Sequence, residues 1–237
     1  MSSQVKSIVL IALVLTTMAF FIPQFVDTQR QVQTLDQELA SLRNELVPLR
    51  AQAMAASDYI SIANLQASYG YYVDKSRWDD ASALFTDDAT LEIAGRGLFV
   101  GRENIRTYFG ALGPMEYGRM YNHMQLQPVI HIAADGQSAK ARWRSFMMVG
   151  KLGAEARWGE ATYENEYRKE AGLWKLSKLH SFIGFYVDYD TGWNKGAVEL
   201  PGTKENTTPD GAPTVQYSPF PGQFIPPYHY NNPITGQ

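Results

Sequence analysis

Three residues in this chain have the types needed to move a proton at carbon without a cofactor: Tyr69, Asp74 and His123. A neutral imidazole, with an ordinary pKa of about 6.5, can accept a proton from a carbon beside a carbonyl. A carboxylate hydrogen-bonded to its other ring nitrogen fixes the tautomer and raises basicity, and a phenol can donate to the enolate oxygen that develops. The three suit proton abstraction followed by loss of a β-hydroxyl or by return of the proton, with no metal and no cofactor. Each also has a plain structural reading. Tyr69 fits a core aromatic whose hydroxyl reaches solvent, Asp74 a helix-end group paired with Lys75 or Arg77, and His123 a hydrogen-bonded packing residue on a half-buried strand.

The elements that must position them follow from periodicity. Ile62, Leu65, Tyr69 and Tyr72 or Val73 recur three and four apart, the spacing of a helix with one buried face, and Asp58 offers an N-cap oxygen. Tyr69 and Asp74 then stand at the end of that helix, where polar groups can look into a cavity. A second short helix over 78–85 buries Trp78, Ala81, Leu84 and Phe85, and Asp87-Asp88 turns the chain into a strand over 90–93. Gly95-Arg96-Gly97 makes a hairpin turn into a strand over 98–100; its glycines have the wrong spacing for a dinucleotide fingerprint. A third helix covers 103–109. Four strands follow, over 120–132, 138–149, 156–168 and 173–186, with Pro128 predicting a bulge or an edge.

Alternation places Tyr121, His123 and Gln125 on one face of the first long strand and turns Ala141, Trp143, Ser145 and Met147 inward on the next. Tyr72, Trp78, Tyr121, Trp143, Ser145 and Met147 are therefore the candidate substrate-binding side chains. Helices followed by a long antiparallel sheet make an α+β layer pattern, here a curved antiparallel sheet wrapped on three helices as a cone-shaped α+β barrel.

Upstream, Ser7 to Val26 is a run of twenty residues without a charge, which as a helix rising about 1.5 Å per residue spans a hydrocarbon layer of roughly 30 Å. Lys6 before it orients the N-terminus to the cytoplasm, so residues 1–26 read as a signal-anchor with the remainder exported, periplasmic or extracytoplasmic. A cleaved secretory signal, giving a secreted protein, is the rival. Val32, Leu35, Leu39, Leu42 and Leu46 then form an a/d seam, and Glu38 and Glu45 at g face Arg43 and Arg50 at e of a neighbouring parallel chain. Residues 27–50 therefore predict a coiled-coil stalk in a parallel homo-oligomer, ended near Val47 by Pro48 and followed by a linker over 51–57. The globular domain occupies 57–190. A Pro/Gly-rich tail occupies 191–237: its 202–213 part reads as mobile, and Phe220, Phe224, Ile225, Tyr228 and Tyr230 are apolar enough to dock.

Formal charge is −3, so no basic field for nucleic acid exists. Cysteine is absent, which removes disulfides, iron–sulfur clusters and thiol nucleophiles, and four histidines without close pairing give no metal-site spacing. The 45% hydrophobic content supports one good core, and fourteen tyrosines suggest walls that are apolar yet carry hydroxyls.

From Asp58 onward a series of landmarks appears in order: Tyr69 and Asp74, Trp78-Asp79, Leu84-Phe85, Asp87-Asp88-Ala89, Gly101-Arg102-Glu103-Asn104, Asn122-His123, Asp135-Gly136 and Gly172-Leu173-Trp174. This series resembles the SnoaL-like branch of the nuclear transport factor two-like superfamily over about residues 57–190. The resemblance implies the cone-shaped fold, places His123 in the pocket with Asp74 facing it from the helical lid, and is nearest to dehydratases such as bile-acid 7α-dehydratase and scytalone dehydratase. Those enzymes carry a second acid or histidine on the following strand, where Ala141, Trp143, Ser145 and Met147 stand here. The resulting expectation is a small hydrophobic hydroxylated or carbonyl compound handled by a cofactor-independent lyase (dehydratase) or isomerase. A non-catalytic ligand-binding or assembly module with the same fold is the alternative, and a structural partner of a ring-hydroxylating oxygenase is a third reading that an anchor disfavours.

Overall fold

The computed structural model describes residues 2–196 and 200–237. Met1 and residues 197–199, which fall in the expected anchor and tail, lie outside the described residues. The chain divides into two compact units, Met1–Met54 and Ala55–Gln237. It is an α+β chain with helices α1 (Ser3–Asp74), α2 (Trp78–Ala83) and α3 (Arg102–Gly110). The strands are β1 (Phe85–Ile93), β2 (Gly97–Val100), β3 (Arg119–Ile132), β4 (Ser138–Lys151), β5 (Glu155–Glu170) and β6 (Leu173–Asp188).

Helix α1 runs through Pro23 and Pro48, so the expected end near Val47 and the linker over 51–57 are corrected. Proline forfeits one N–H and crowds the carbonyl four residues back, but the neighbours Leu49, Ala51, Gln52, Ala53 and Met54 are strong helix formers that carry the helix onward. Asp58 is consequently inside a helix rather than capping one. Its carboxylate accepts two hydrogen bonds from Lys169 Nζ (2.7 and 2.8 Å) and one from the Trp174 indole (2.9 Å). In the first unit the helix contains a stretch long and apolar enough to cross a membrane, a test that an N-terminal signal sequence also passes.

The sheet has the order β2-β1-β6-β5-β4-β3. Its pairs are antiparallel except β1 with β6, which is parallel, so the sheet is mixed rather than wholly antiparallel. The parallel pair arises because the chain returns to the far side of β1 only after the β3–β6 meander is complete. Helix α2 stops at Ala83, short of the expected 85, because the Leu84 carbonyl accepts the Leu176 N–H (2.9 Å) and Phe85 already pairs with Leu176. Asp87-Asp88 lies in a register shift inside β1 and not in a turn before it. Pro128 falls in the bulge of β3 between Leu126 and Val129, with Gln127 at φ 49°, and β3 is also an edge strand.

The core of the second unit forms where Ile62, Tyr69 and Val73 of α1 meet Phe85, Leu91, Ile105, Phe109, Tyr163 and Leu176. The tail lies across the sheet. Gly211 bridges Leu98, Asp210 accepts the Val100 N–H (2.7 Å), and Thr214 donates its N–H and its hydroxyl to the Glu92 carboxylate (2.8 and 2.6 Å). Within the segment 202–213, expected to be mobile, Asp210 and Gly211 are thus hydrogen-bonded to β2. Farther on, Tyr217 and Phe224 stack at 4.2 Å beside Phe182, and the Arg142 guanidinium lies 3.6 Å from the Tyr228 ring centroid.

Candidate functional site

Where α1 crosses the edge of β3, Gly70 sets the approach. A Cβ there would stand 2.9 Å from the His123 carbonyl oxygen and 3.1 Å from Gln125 Cγ, so only glycine lets the helix come this close. The contact closes an otherwise free sheet edge. The outward N–H of His123 donates to Asp74 Oδ1 (2.7 Å), and the outward carbonyl of His123 accepts from Gln125 Nε2 (3.1 Å). Helix end and strand edge thus bring Asp74 and His123 together.

The ring of His123 points the same way. Its Nδ1 is 3.6 Å from Asp74 Oδ1, and the side chains are 18% and 15% exposed. Among the described residues this buried nitrogen has no hydrogen-bond partner, so a small rotation of either group would complete an Asp–His pair. His123 also forms part of the wall of a cavity of about 110 Å³.

Apolar walls come from Val73, Phe109, Leu112, Met147, Val149 and Ile183, and hydroxyls from Tyr69, Tyr108, Tyr121, Tyr163, Tyr186 and Ser181. Tyr69 is 4% exposed and packs edge-on against Phe85 at 6.2 Å. Burial, reinforced by Tyr163 and Tyr108, holds its hydroxyl well above the usual phenol range, which keeps it a neutral donor. Burial likewise raises Tyr163, against the hydrogen-bonding influence of Ser181, Ser145 and Gln125. The Tyr121 hydroxyl is committed to the Leu112 carbonyl (2.7 Å).

Of the nine residues expected at the site, Tyr69, His123, Tyr121 and Met147 stand on the cavity wall and Asp74 stands directly behind His123. The other four lie off that wall. Trp143 is buried in the core with its indole N–H on the Tyr167 hydroxyl (2.9 Å), and Ser145 is fully buried near Tyr163. Trp78 stacks on the far side of Phe109 at 6.0 Å and donates to the Gly113 carbonyl (2.9 Å). Tyr72 packs beneath the Arg77 guanidinium at 5.0 Å.

Behind the site lies a polar network that sequence reasoning missed. Fully buried Gln66 donates to Gln125 Oε1 (2.8 Å) and accepts from Asn165 Nδ2 (3.0 Å) and the Tyr167 hydroxyl (2.7 Å). The available signal was a glutamine on the apolar stripe Ile62, Gln66, Tyr69, Val73. Alternation on β5 would likewise have turned Tyr163, Asn165 and Tyr167 inward. The remaining histidines are engaged elsewhere: His180 sits 3.4 Å from Glu92, and His131 Nδ1 and His229 Nε2 are 3.1 Å apart. Among the described residues no three His, Asp or Glu side chains are grouped to hold a metal.

A helix-covered curved sheet with an aromatic cavity and an Asp–His pair at its wall defines an α+β pocket protein. The sequence signature of the SnoaL-like domain matches residues 54–180, and the chain belongs to that family. No protein of curated function matches the sequence. Among solved structures, one from Novosphingobium aromaticivorans, provisionally described as a scytalone dehydratase, has a TM-score of 0.55 at 16% identity over 66% of this chain and 99% of that one. The dehydrochlorinase LinA gives a TM-score of 0.54 at 18% identity over 64% of this chain and 99% of its own. A type 2 hexachlorocyclohexane dehydrochlorinase gives 0.53 at 20% identity over 63% and 97%. At these identities the likeness establishes the shared nuclear transport factor two-like fold.

Proposed function

We propose that this chain is a membrane-tethered SnoaL-like domain whose cavity takes a small hydrophobic hydroxylated or carbonyl compound and acts on it as a cofactor-independent lyase or isomerase. The observation that carries the reading is the meeting of Asp74 and His123 at the wall of a cavity rich in neutral tyrosine hydroxyls. In this chemistry His123 Nε2 removes the proton beside a carbonyl, Asp74 orients the ring through Nδ1, and Tyr69 donates to the enolate oxygen. The electron pair then expels a β-hydroxyl, which takes the proton from His123 and leaves as water, or else collects the proton at another carbon. The names of the structural neighbours, dehydrochlorinases and a provisionally described scytalone dehydratase, support the lyase reading.

Residues 1–26 form the tether and residues 27–50 a parallel homo-oligomeric stalk, with the 57–190 domain on the exported side and the 191–237 tail strapped to it. The seam Val32, Leu35, Leu39, Leu42 and Leu46 supports the stalk: each side chain is 47–57% exposed, an apolar stripe that a second helix would cover.

One observation favours a non-catalytic binding module instead: Asp74 Oδ1 already accepts the His123 backbone N–H and serves as a clamp on the strand edge. Mass spectrometry of the ligand carried by protein purified from its host separates the two. A lyase retains product in the wild type and, in His123→Ala, a compound heavier by one water. The same unaltered ligand in both proteins, at equal occupancy, favours the binding module and contradicts the lyase.

A further inference from the structure

One charged wall residue has no part in the proton transfer. Arg96, half-buried at the β1–β2 turn, lines the cavity together with His123. Residues 55–237 contain nine arginines, and eight have a carboxylate oxygen within 4.0 Å. Among the described residues Arg96 alone has none, and the cavity wall holds no acidic side chain. Two wall tyrosines feel its charge. Burial pushes Tyr108 up to about 12, partly drawn back by Arg96, and raises Tyr186, partly drawn back by Arg157 and then by Arg96, so both hydroxyls remain neutral donors.

We propose that Arg96, with the Tyr108 and Tyr186 hydroxyls beside it, anchors a carboxylate on the substrate, so that the compound taken is a small oxo or hydroxy acid. This rests on the cavity being the substrate site. A guanidinium offers a planar fork of donors that matches a carboxylate, and among apolar walls such a pair is stronger than in water. Among the described residues no carboxylate offsets the desolvation of this half-buried cation, and an anionic ligand supplies such a charge. Size limits the acid. Since a cavity of about 150 Å³ holds benzene, with its six non-hydrogen atoms, the roughly 110 Å³ here admits about six at most.

The carboxylate is the handle and not the reacting group, because a C–H beside an ionised carboxylate is far less acidic than one beside a ketone. His123 therefore takes its proton next to a separate carbonyl. The C–H electron pair becomes the enolate, the β-hydroxyl departs with that proton as water or the proton returns at a neighbouring carbon, and Arg96 is unchanged throughout.

The test uses the full chain and two probes of the same shape with about six non-hydrogen atoms each, pyruvate and the neutral ketone 3-methylbutan-2-one, with affinities read by ligand-observed NMR. The wild type binds the acid at least about tenfold more tightly. Arg96→Gln brings the acid to the level of the neutral ketone and leaves the ketone unchanged, with an unaltered near-UV circular dichroism spectrum confirming the fold. Equal binding of the two probes by the wild type, binding of neither, or a preference that survives Arg96→Gln overturns the proposal. Deuterium exchange into the neutral ketone reads the proton transfer separately. Exchange without a preference for the acid removes the Arg96 anchor alone, and a preference without exchange removes the catalytic reading alone.

Discussion

Replacing Gln66 by leucine tests whether the buried network is what fixes β3 beneath His123. Leucine keeps the approximate volume and removes three hydrogen bonds at once. Asn165 Nδ2 retains the Tyr167 oxygen at 3.3 Å, but Gln125 Oε1 and the Tyr167 O–H are left with nothing. One buried and one half-buried orphan at about 1–3 kcal/mol each, less about 1 kcal/mol for the new apolar contact, give a loss of about 1–5 kcal/mol, centred near ~3. For a unit of this size the central value lowers Tm by roughly 6–12 °C, measured by thermal unfolding in near-UV circular dichroism, where the Trp143 indole on Tyr167 reports directly. Tyr167→Phe breaks the same Gln66–Tyr167 bond and also removes the acceptor of the Trp143 indole and of Asn165 Nδ2, so the double variant should lose about 1 kcal/mol less than the sum of the two single losses, a non-additivity that identifies the network as the cause. A Tm change below about 2 °C, or a double variant whose losses simply add, would refute the reasoning.

Other consequences follow from the same geometry. Gly70→Ala forces its new methyl onto the His123 carbonyl at 2.9 Å, and should cost about 1–3 kcal/mol while pushing Asp74 away from the imidazole, as denaturant titration and a crystal structure would show. Leu39→Asp places a charge in the stalk seam and should lower the oligomeric order seen by light scattering in detergent, with the fold of residues 55–237 intact. His180 is held below the usual histidine range by burial, only partly offset by Glu92, so the unfolded chain binds more protons than the folded one. Stability should therefore fall as pH drops below about 6.5; His229, also lowered by burial, adds with the same sign, and His180→Gln should reduce the slope of Tm against pH without abolishing it.

Much of this was legible because period and polarity agree along the chain. The stripe from Ile62 to Val73 and the alternation on β3 to β6 are strong local signals, and they placed Tyr69, Tyr121, His123 and Met147 on the side where the cavity lies. Residues that depend on a distant partner were hidden. Pro48 looks like a stop until the helix formers beyond it are weighed, and the parallel β1–β6 pair is fixed by which edge remains open after the meander. Trp143 alternates correctly yet ends in the core, since alternation gives the face of a strand and not its depth along the cone. Arg96 was read only as a turn residue, because nothing in Gly-Arg-Gly reveals that the hairpin closes over the pocket.

The central claim is that His123, held by Asp74, removes a proton from carbon in this cavity. Its most direct test is NMR of 3-methylbutan-2-one and cyclopentanone in D₂O with the full chain, following loss of the proton signals beside the carbonyl. The wild type should exchange them well above the buffer rate, Asp74→Asn more slowly, and His123→Ala no faster than buffer. Exchange at the buffer rate in the wild type, or undiminished exchange in His123→Ala, would contradict the account.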